Sequence, residues 1–231
     1  MIAERLTALQ AQIHAACVTG GRDPSEVRLL AVSKGHPASA IRAAWQCGLR
    51  DFGESYVQEW NRKADDPTLQ GLEGLRWHFV GKLQRNKVRF LLGRVTTVES
   101  IDSERLAKAV AERSAALGRT QDVLLQVNLQ AEQSKSGFSS PELTASMGRL
   151  VAMDGLCVRG LMAIPPRRDT AEASRRDHRG LSQLRDALQQ RWGHPLPELS
   201  MGMSGDFSVA IEEGSTEVRL GTALFGERPP P

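Results

Sequence analysis

The stretch Leu29-Leu30-Ala31-Val32-Ser33-Lys34 predicts the first strand of the fold and puts a lysine where that strand ends. Short apolar runs of this kind are typical of buried strands, and a lysine is rarely buried unless it is paired. At the carboxyl end of a strand in an α/β protein, Lys34 would lie at the edge of the sheet where active sites are found. There, loss of water lowers the pKa of the amine and makes it a nucleophile toward aldehydes. The alternative is a lysine that ends the strand and reaches water.

Strands and helices alternate outward from this stretch along almost the whole chain. An amphipathic helix over 2–18 precedes the first strand at 27–33. The later strands are predicted at 49–53, 76–80, 95–99, 122–129, 158–164, 198–203 and 217–221. The helices between them are predicted at 38–47, 56–64, 85–92, 103–117, 141–152, 170–192 and 207–212, with Ser103 as an N-cap.

This alternation predicts the fold class. Eight strands separated by helices favour a parallel sheet, and eight strands close a (β/α)8 barrel of the TIM type. We therefore expect an α/β protein with a single barrel domain over 1–231, an extra N-terminal helix and a disordered tail at 227–231. An open doubly wound sheet is the alternative, but no Gly-x-Gly-x-x-Gly motif follows an early strand.

Composition weighs against several classes of protein. The 231 residues include 30 Lys and Arg and 27 Asp and Glu, with the two signs interleaved. The most basic stretches, 82–89 and 175–179, lack the interleaved aromatics of a nucleic-acid platform. Cys17, Cys47 and Cys157 are far apart and odd in number, which predicts neither a disulfide framework nor a metal site. Without a secretory signal or a membrane-length apolar run, we expect a soluble cytoplasmic protein that binds neither nucleic acid nor membranes.

The carboxyl ends of the strands form the site-bearing mouth of a closed barrel. The residues predicted to meet there are Lys34, Ser55, His78, Asn128, Ser200, Met203, Ser204, Arg219, Gly221 and Thr222. Small residues let backbone N–H groups approach an anion, and barrels often bind phosphate after strands seven and eight. Ser204-Gly205-Asp206 and Gly221-Thr222 therefore predict a phosphate site, although such residues also simply make turns.

Barrel closure brings Arg219 close to Lys34, because strand eight pairs with strand one. The guanidinium would lower the pKa of the lysine, although Arg219 could instead form an ion pair with Glu217 or Glu54. An aldehyde-reactive lysine, a phosphate site and a guanidinium together suit pyridoxal phosphate (PLP). Because a guanidinium cannot accept a proton, Arg219 facing the pyridine nitrogen would keep that nitrogen neutral and the ring a weak electron sink.

Segments along almost the whole chain carry a resemblance to a known family. They are Ala-Val-Ser-Lys at 31–34, Phe-Gly-Glu-Ser-Tyr-Val-Gln-Glu at 52–59, Trp-His-Phe-Val-Gly-Lys-Leu-Gln-Arg-Asn-Lys at 77–87, Gln-Val-Asn at 126–128 with Ser-Lys-Ser-Gly at 134–137, Gly-Leu-Met-Ala-Ile-Pro at 160–165, Leu-Ser-Met-Gly-Met-Ser-Gly-Asp at 199–206 and Val-Arg-Leu-Gly-Thr-Ala-Leu-Phe-Gly at 218–226. Together they resemble the pyridoxal phosphate homeostasis proteins, also called the YggS/PROSC family. That family is associated with vitamin B6 and amino-acid homeostasis and has no established enzymatic reaction.

The resemblance implies a barrel like the N-terminal domain of alanine racemase, a fold-type III PLP-binding protein without that enzyme's second domain. It implies that Lys34 holds the cofactor as an internal aldimine and that Arg219 contacts the pyridine nitrogen. The residues it implies for the phosphate are Ser204, Gly221 and Thr222. The residues then expected to line the cofactor are Ser55, His78, Asn128, Ser200 and Met203.

The chain departs from the family at two places. Ser55 stands where the family usually has Asn, so a ring contact there is lost or made through water. After the lysine, Gly35-His36-Pro37 replaces the commoner Thr-x-Pro, and the hydroxyl next to the lysine is missing.

Catalysis would need a second acid or base on the far face of the ring, which alanine racemases take from their second domain. The candidates here are Tyr56, which otherwise packs on a helix near the rim, and His78, which otherwise is structural. Since neither is convincing, no catalytic residue is assigned.

The predicted function is therefore a carrier of PLP. We expect it to hand the cofactor to PLP-dependent apo-enzymes and, without a dimerising second domain, to be a monomer. A low-activity amino-acid racemase or related enzyme, and a scaffold that has lost the cofactor, are the alternatives. Lys135, in the loop after strand five, is either a transient second contact for phosphate or aldehyde, or a solvated loop lysine.

Overall fold

The strands of the computed structural model, which describes residues 1–130, 136–166 and 168–228, form one closed barrel. They are β1 (Arg28–Val32), β2 (Asp51–Glu54), β3 (Arg76–Phe79), β4 (Thr97–Ile101), β5 (Gln121–Val127), β6 (Leu156–Ala163), β7 (Glu198–Met203) and β8 (Glu217–Leu220). Every neighbouring pair is parallel, and β8 closes the barrel on β1 with Arg219 opposite Leu30. The predicted TIM-type α/β fold is confirmed, and the open sheet is wrong.

Helices follow the strands around the outside of the barrel. They are α1 (Ile2–Thr19), α2 (Ala38–Gln46), α3 (Val57–Ala64), α4 (Val88–Leu91), α5 (Glu104–Ala116), α6 (Ser140–Val151), α7 (Arg175–Trp192), α8 (Phe207–Glu212) and α9 (Thr222–Phe225). The extra helix α1 packs against α8 and α9. Across the described ranges, we find no helix with the length and apolar character needed to cross a membrane.

Local hydrogen bonds determine where several helices and strands begin. Ser103 caps α5 as predicted, since its Oγ accepts a hydrogen bond from the Leu106 N–H at 3.3 Å. Ser139 and Glu142 form a capping box at the start of α6. By contrast, β4 begins two residues later than predicted, because the Val95 N–H bonds to the Leu91 carbonyl and belongs to the preceding turn.

Two predicted helices are shorter than expected, and one helix was missed. The stretch predicted at 85–92 divides into the 3-10 turn Arg85–Lys87 and α4, and that predicted at 170–192 into the 3-10 turn Glu172–Ser174 and α7. The short α9 after β8 was not predicted. The last three residues of the predicted tail, 229–231, lie outside the described residues.

The apolar core lies mainly between the strands and the surrounding helices. Phe52 and Trp77 on β2 and β3 pack with ring centroids 6.3 Å apart, and Trp60 of α3 is completely buried. Each aromatic side chain of this kind removes a large apolar area from water. The helices therefore hold the barrel from outside and leave its carboxyl-terminal mouth to the loops.

Candidate functional site

A cavity with two lobes opens at the mouth of the barrel, on either side of Lys34. The β8 lobe, of about 460 Å³, is lined by residues that include Met203, Ser204, Arg219, Gly221 and Thr222. The β5 lobe, of about 400 Å³, extends toward Asn128. The lobes share Lys34, Ser55, Val80, Ile164, Pro165 and Pro166. Eight of the ten predicted site residues thus meet at one cavity, and the exceptions are His78 and Ser200.

Lys34 is half-buried between the lobes, two residues beyond the end of β1. Burial, followed by the positive charges of Arg228 and Arg219, lowers the pKa of its amine, against the opposing charges of Glu54 and Glu59. No ion pair of Lys34 is formed with the described residues. A larger share of the amine is therefore neutral at pH 7 than in a solvated lysine.

Arg219 lies on β8 beneath the β8 lobe and is only 5% exposed. Its Nη1 donates to the carbonyl and to the Oγ of Ser200, both at 2.6 Å, and its Nη2 donates to the Ala163 carbonyl at 2.7 Å. The expected alternative, an ion pair with Glu217 or Glu54, is not formed. Neutral oxygens therefore hold the guanidinium at the cavity.

His78 lies inside the barrel below the cavity. Its Nδ1 lies 2.9 Å from Glu99 Oε1 and its Nε2 lies 3.0 Å from Asp51 Oδ1. Burial lowers the pKa of His78, but hydrogen bonds to Asp51 and Glu99 and the charge of Glu217 outweigh it and raise this pKa to about 10. His78 is therefore an imidazolium held between carboxylates, and it is not among the residues that line the two lobes.

Ser200 joins this buried network to Arg219. Its Oγ lies 2.7 Å from Glu99 Oε2 and 2.9 Å from Glu217 Oε1, and it accepts the Arg219 hydrogen bond. Burial, and then the charge of Glu99, raises the pKa of Glu217 to about 7. Ser200 is likewise absent from the lining of the two lobes, and it accepts a hydrogen bond from Arg219.

Asp206 holds the turn that follows β7. Its Oδ1 accepts the Met203 N–H at 2.7 Å, and its Oδ2 lies 3.0 Å from Nε2 of the buried His178. Next to this turn, a Cβ at Gly221 would lie 3.1 Å from the Val32 carbonyl, so glycine lets the loop after β8 approach β1. Residues of the two loops thus line the β8 lobe together.

The charges of the β8 lobe favour an anion. Lys34, Arg219 and Arg228 line it, and Asp206 is the acidic residue on its wall. Arg168 also lines it but pairs with Asp177 at 2.9 Å. A half-buried amine, hydroxyl-bearing residues and glycines of the loops after β7 and β8, and an excess of positive charge suit PLP, so the residues present fit that cofactor.

Comparisons with known proteins give the family. The family model described as "Alanine racemase, N-terminal domain" matches residues 6–229. A pyridoxal phosphate homeostasis protein of Aquifex aeolicus (strain VF5) is 43% identical over 225 residues, which cover 97% of each chain. Its counterpart in Escherichia coli (strain K12) is 40% identical over 98% of this chain and 97% of its own. The chain belongs to the pyridoxal phosphate homeostasis family.

A solved structure similar to this one is that of PipY from Synechococcus elongatus PCC7942, determined with PLP bound. It is 39% identical, with a TM-score of 0.87, and the match covers 98% of this chain and all of that one. The likeness therefore extends over nearly the whole chain.

The turn after β1, where the chain departs from the commoner sequence of the homeostasis family, has a conformation that explains its glycine. Gly35 adopts a φ of +76°, and a Cβ there would lie 2.8 Å from Cδ of Arg228. A threonine at this position would be strained. The next residue, His36, is buried against Phe225 with ring centroids 5.1 Å apart.

The other predicted residues lie at the rim or outside the described part. Ser55, in place of the family's usual Asn, lines both lobes. Tyr56 precedes α3 at the rim of the β5 lobe and is 62% exposed. Lys135 lies outside the described residues. Sequence reasoning did not assign Arg228 to the site, because nothing local shows that the segment after α9 returns to Lys34.

Proposed function

We propose that this protein binds PLP, holds it as a Schiff base on Lys34 and delivers it in PLP homeostasis, without strong catalysis. The observation that carries the proposal is the β8 lobe, where a half-buried lysine, a buried guanidinium and two donor loops meet. PipY, at 39% identity over the same length, contains PLP. This likeness supports the cofactor, and the geometry supports the role of each residue.

The Lys34 amine reacts with the aldehyde. The neutral amine adds to the aldehyde carbon, a carbon–nitrogen double bond forms, and the carbonyl oxygen leaves as water with the two amine protons. The lowered pKa favours this step because only the neutral amine has the electron pair that it needs.

Ser204, Gly221 and Thr222 are proposed to bind the phosphate through hydroxyl and backbone N–H groups. Arg228 adds a positive charge on the same lobe. Hydrogen bonds to a charged phosphate are stronger than those between neutral groups, so this end supplies much of the affinity.

Arg219 is proposed to face the pyridine nitrogen. It can donate to that nitrogen but cannot protonate it, because a guanidinium stays charged in proteins. PLP supplies an electron sink for reactions at amino-acid carbons, and an unprotonated ring is a weak one. This contact therefore favours a carrier over a strong catalyst.

The candidate second bases also favour a carrier. His78 is enclosed between Asp51 and Glu99 below the cavity, and Tyr56 is exposed at the rim. Neither lines the β8 lobe. We propose PLP-dependent apo-enzymes as recipients, and the monomeric state stays a prediction that light scattering would check.

The test is reconstitution with PLP followed by borohydride reduction and mapping of the labelled lysine. We expect an absorbance band of the Schiff base and a label on Lys34, both lost in Lys34→Ala. Lys108→Ala, at an exposed position of α5, is the control. A borohydride-fixed cofactor in Lys34→Ala would refute the role of Lys34, and a colourless wild-type protein would refute PLP binding.

A second candidate function is a low-activity amino-acid enzyme. The β5 lobe favours it, since about 400 Å³ of space lies on the other side of Lys34 and could hold an amino acid. Exchange of solvent deuterium at Cα of several amino acids tests it. Exchange at about one per second or faster would be typical of an enzyme and would replace the carrier proposal.

A further inference from the structure

Three charged residues, two buried and one partly buried, form a group behind Lys34, between β1, β2 and α3. They are Lys63 of α3, Glu54 at the end of β2 and Glu59 of α3, and we call them the α3 ion cluster. Lys63 is 6% exposed and Glu54 is completely buried. None of the three is among the residues that line the two lobes. The proposed chemistry therefore does not use them directly.

Lys63 uses all three of its N–H donors within this cluster and the neighbouring turn. Its Nζ donates to Glu54 Oε1 at 2.6 Å, to Glu59 Oε1 at 2.7 Å and to the Ser33 carbonyl at 2.7 Å. An ammonium has three such donors and no acceptor, so its hydrogen bonding is complete.

The two glutamates hold the residues on either side of Lys34. The Ser33 Oγ donates to Glu54 Oε1 at 2.7 Å, and the Gly35 N–H donates to Glu59 Oε1 at 2.5 Å. Together with the bond from Lys63 to the Ser33 carbonyl, these contacts hold the peptide units before and after the lysine. They also hold Gly35 in its left-handed conformation.

Stability alone is a weak explanation for this arrangement. A buried group of charges loses about as much free energy by desolvation as its ion pairs return. Glu54 Oε2 is also buried without a hydrogen-bond partner among the described residues, which is a further cost. What the cluster does supply is a single geometry for the turn 33–35.

We propose that Lys63, with Glu54 and Glu59, positions the Lys34 amine for reaction with an aldehyde ligand by holding both of its backbone neighbours. This inference rests on the proposed role of Lys34. A lysine whose backbone is already held reacts faster and binds an aldehyde more strongly, because less conformational entropy is lost when the aldehyde binds.

The test separates attachment from binding. Lys63→Met removes the ammonium and keeps a long side chain, and Lys108→Met is the matched exposed control. Covalent attachment is measured with PLP, as the fraction that borohydride fixes to the protein. Binding without attachment is measured by equilibrium dialysis with pyridoxine 5′-phosphate, which has no aldehyde. We expect Lys63→Met to lower the attachment constant about tenfold, or about 1.4 kcal/mol, with pyridoxine 5′-phosphate binding unchanged.

A second pair of variants keeps the test decisive if Lys63→Met does not fold. Glu59→Gln keeps an oxygen for the Gly35 N–H, whereas Glu59→Ala removes it. We expect attachment to fall in Glu59→Ala and to be retained in Glu59→Gln. Equal attachment in all variants, or an equal loss of PLP attachment and pyridoxine 5′-phosphate binding, would overturn the positioning role. A wild-type protein that fixes no PLP on Lys34 would instead overturn the proposed function.

Discussion

Removal of the Ser200 hydroxyl tests whether the buried network below the cavity holds Arg219. In Ser200→Ala, Arg219 Nη1 loses an acceptor at 2.6 Å, and the carboxylates of Glu99 and Glu217 lose the hydroxyl that lies within 2.9 Å of both. A serine hydroxyl has one proton, so two hydrogen bonds disappear: the one from Arg219 and the one to a carboxylate.

The expected cost follows from these contacts. A hydrogen bond to a charged group contributes about 1.5–3 kcal/mol to stability. Because Arg219 Nη1 keeps the Ser200 carbonyl as an acceptor, we expect the free energy of unfolding to fall by about 3 kcal/mol, the lower limit for two such bonds. For a chain of this length, that corresponds to a Tm lower by about 6–12 °C.

The assay is urea unfolding and thermal melting of the apo-protein. Ser100→Ala is the matched control, because Ser100 is a buried serine on β4 whose Oγ has no hydrogen-bond partner in the described part of the chain. Its removal should change the free energy of unfolding little or raise it slightly. Equal stabilities of the two variants would refute the network as the support of Arg219.

Three further predictions concern the cavity and its rim. In Arg228→Ala, the loss of a positive charge raises the pKa of Lys34, so the pH at which half of the PLP is attached moves upward. An absorbance titration measures this midpoint, and the control Arg228→Lys should retain the wild-type value. An unchanged midpoint in Arg228→Ala would contradict the prediction. Thr222→Val should raise the Kd for PLP about tenfold and leave that for pyridoxal unchanged, and an equal change for both ligands would exclude the phosphate contact. Gly81→Ala should lower the free energy of unfolding by about 1–3 kcal/mol, because the added Cβ would lie 2.0 Å from the Ser55 carbonyl oxygen. Urea unfolding measures this, and a variant as stable as the wild type would show that the loop adjusts without cost.

The mouth of the barrel was predictable because topology determines which strand ends meet. Lys34 and Arg219 are 185 positions apart in the chain, and closure of β8 on β1 alone brings them to one cavity. The loops after β7 and β8 follow from the same rule, since parallel strands end at the same edge.

Depth within the barrel was not predictable. His78 and Ser200 were placed at the mouth, but their partners Asp51, Glu99 and Glu217 lie inside the barrel. Alternation along a strand gives the face of a side chain and not the layer that it occupies, because the layer depends on the stagger between strands.

The α3 ion cluster was missed for a related reason. Glu59 and Lys63 are four residues apart on a helix, a spacing typical of an exposed ion pair. Only the packing of α3 against the ends of β1 and β2 buries Lys63 and adds Glu54 and the Ser33 carbonyl to the pair.

By itself, the sequence determined the order of strands and helices and which residues end each strand, because periodic apolar patterns and strand ends are local properties. Tertiary structure decided which charges are buried and with what partners: Arg219 on Ser200, His78 between carboxylates, and Lys63 behind Lys34. The physical reason is that the free energy of a buried charge depends on groups distant in the chain, which only the folded protein brings within hydrogen-bond distance.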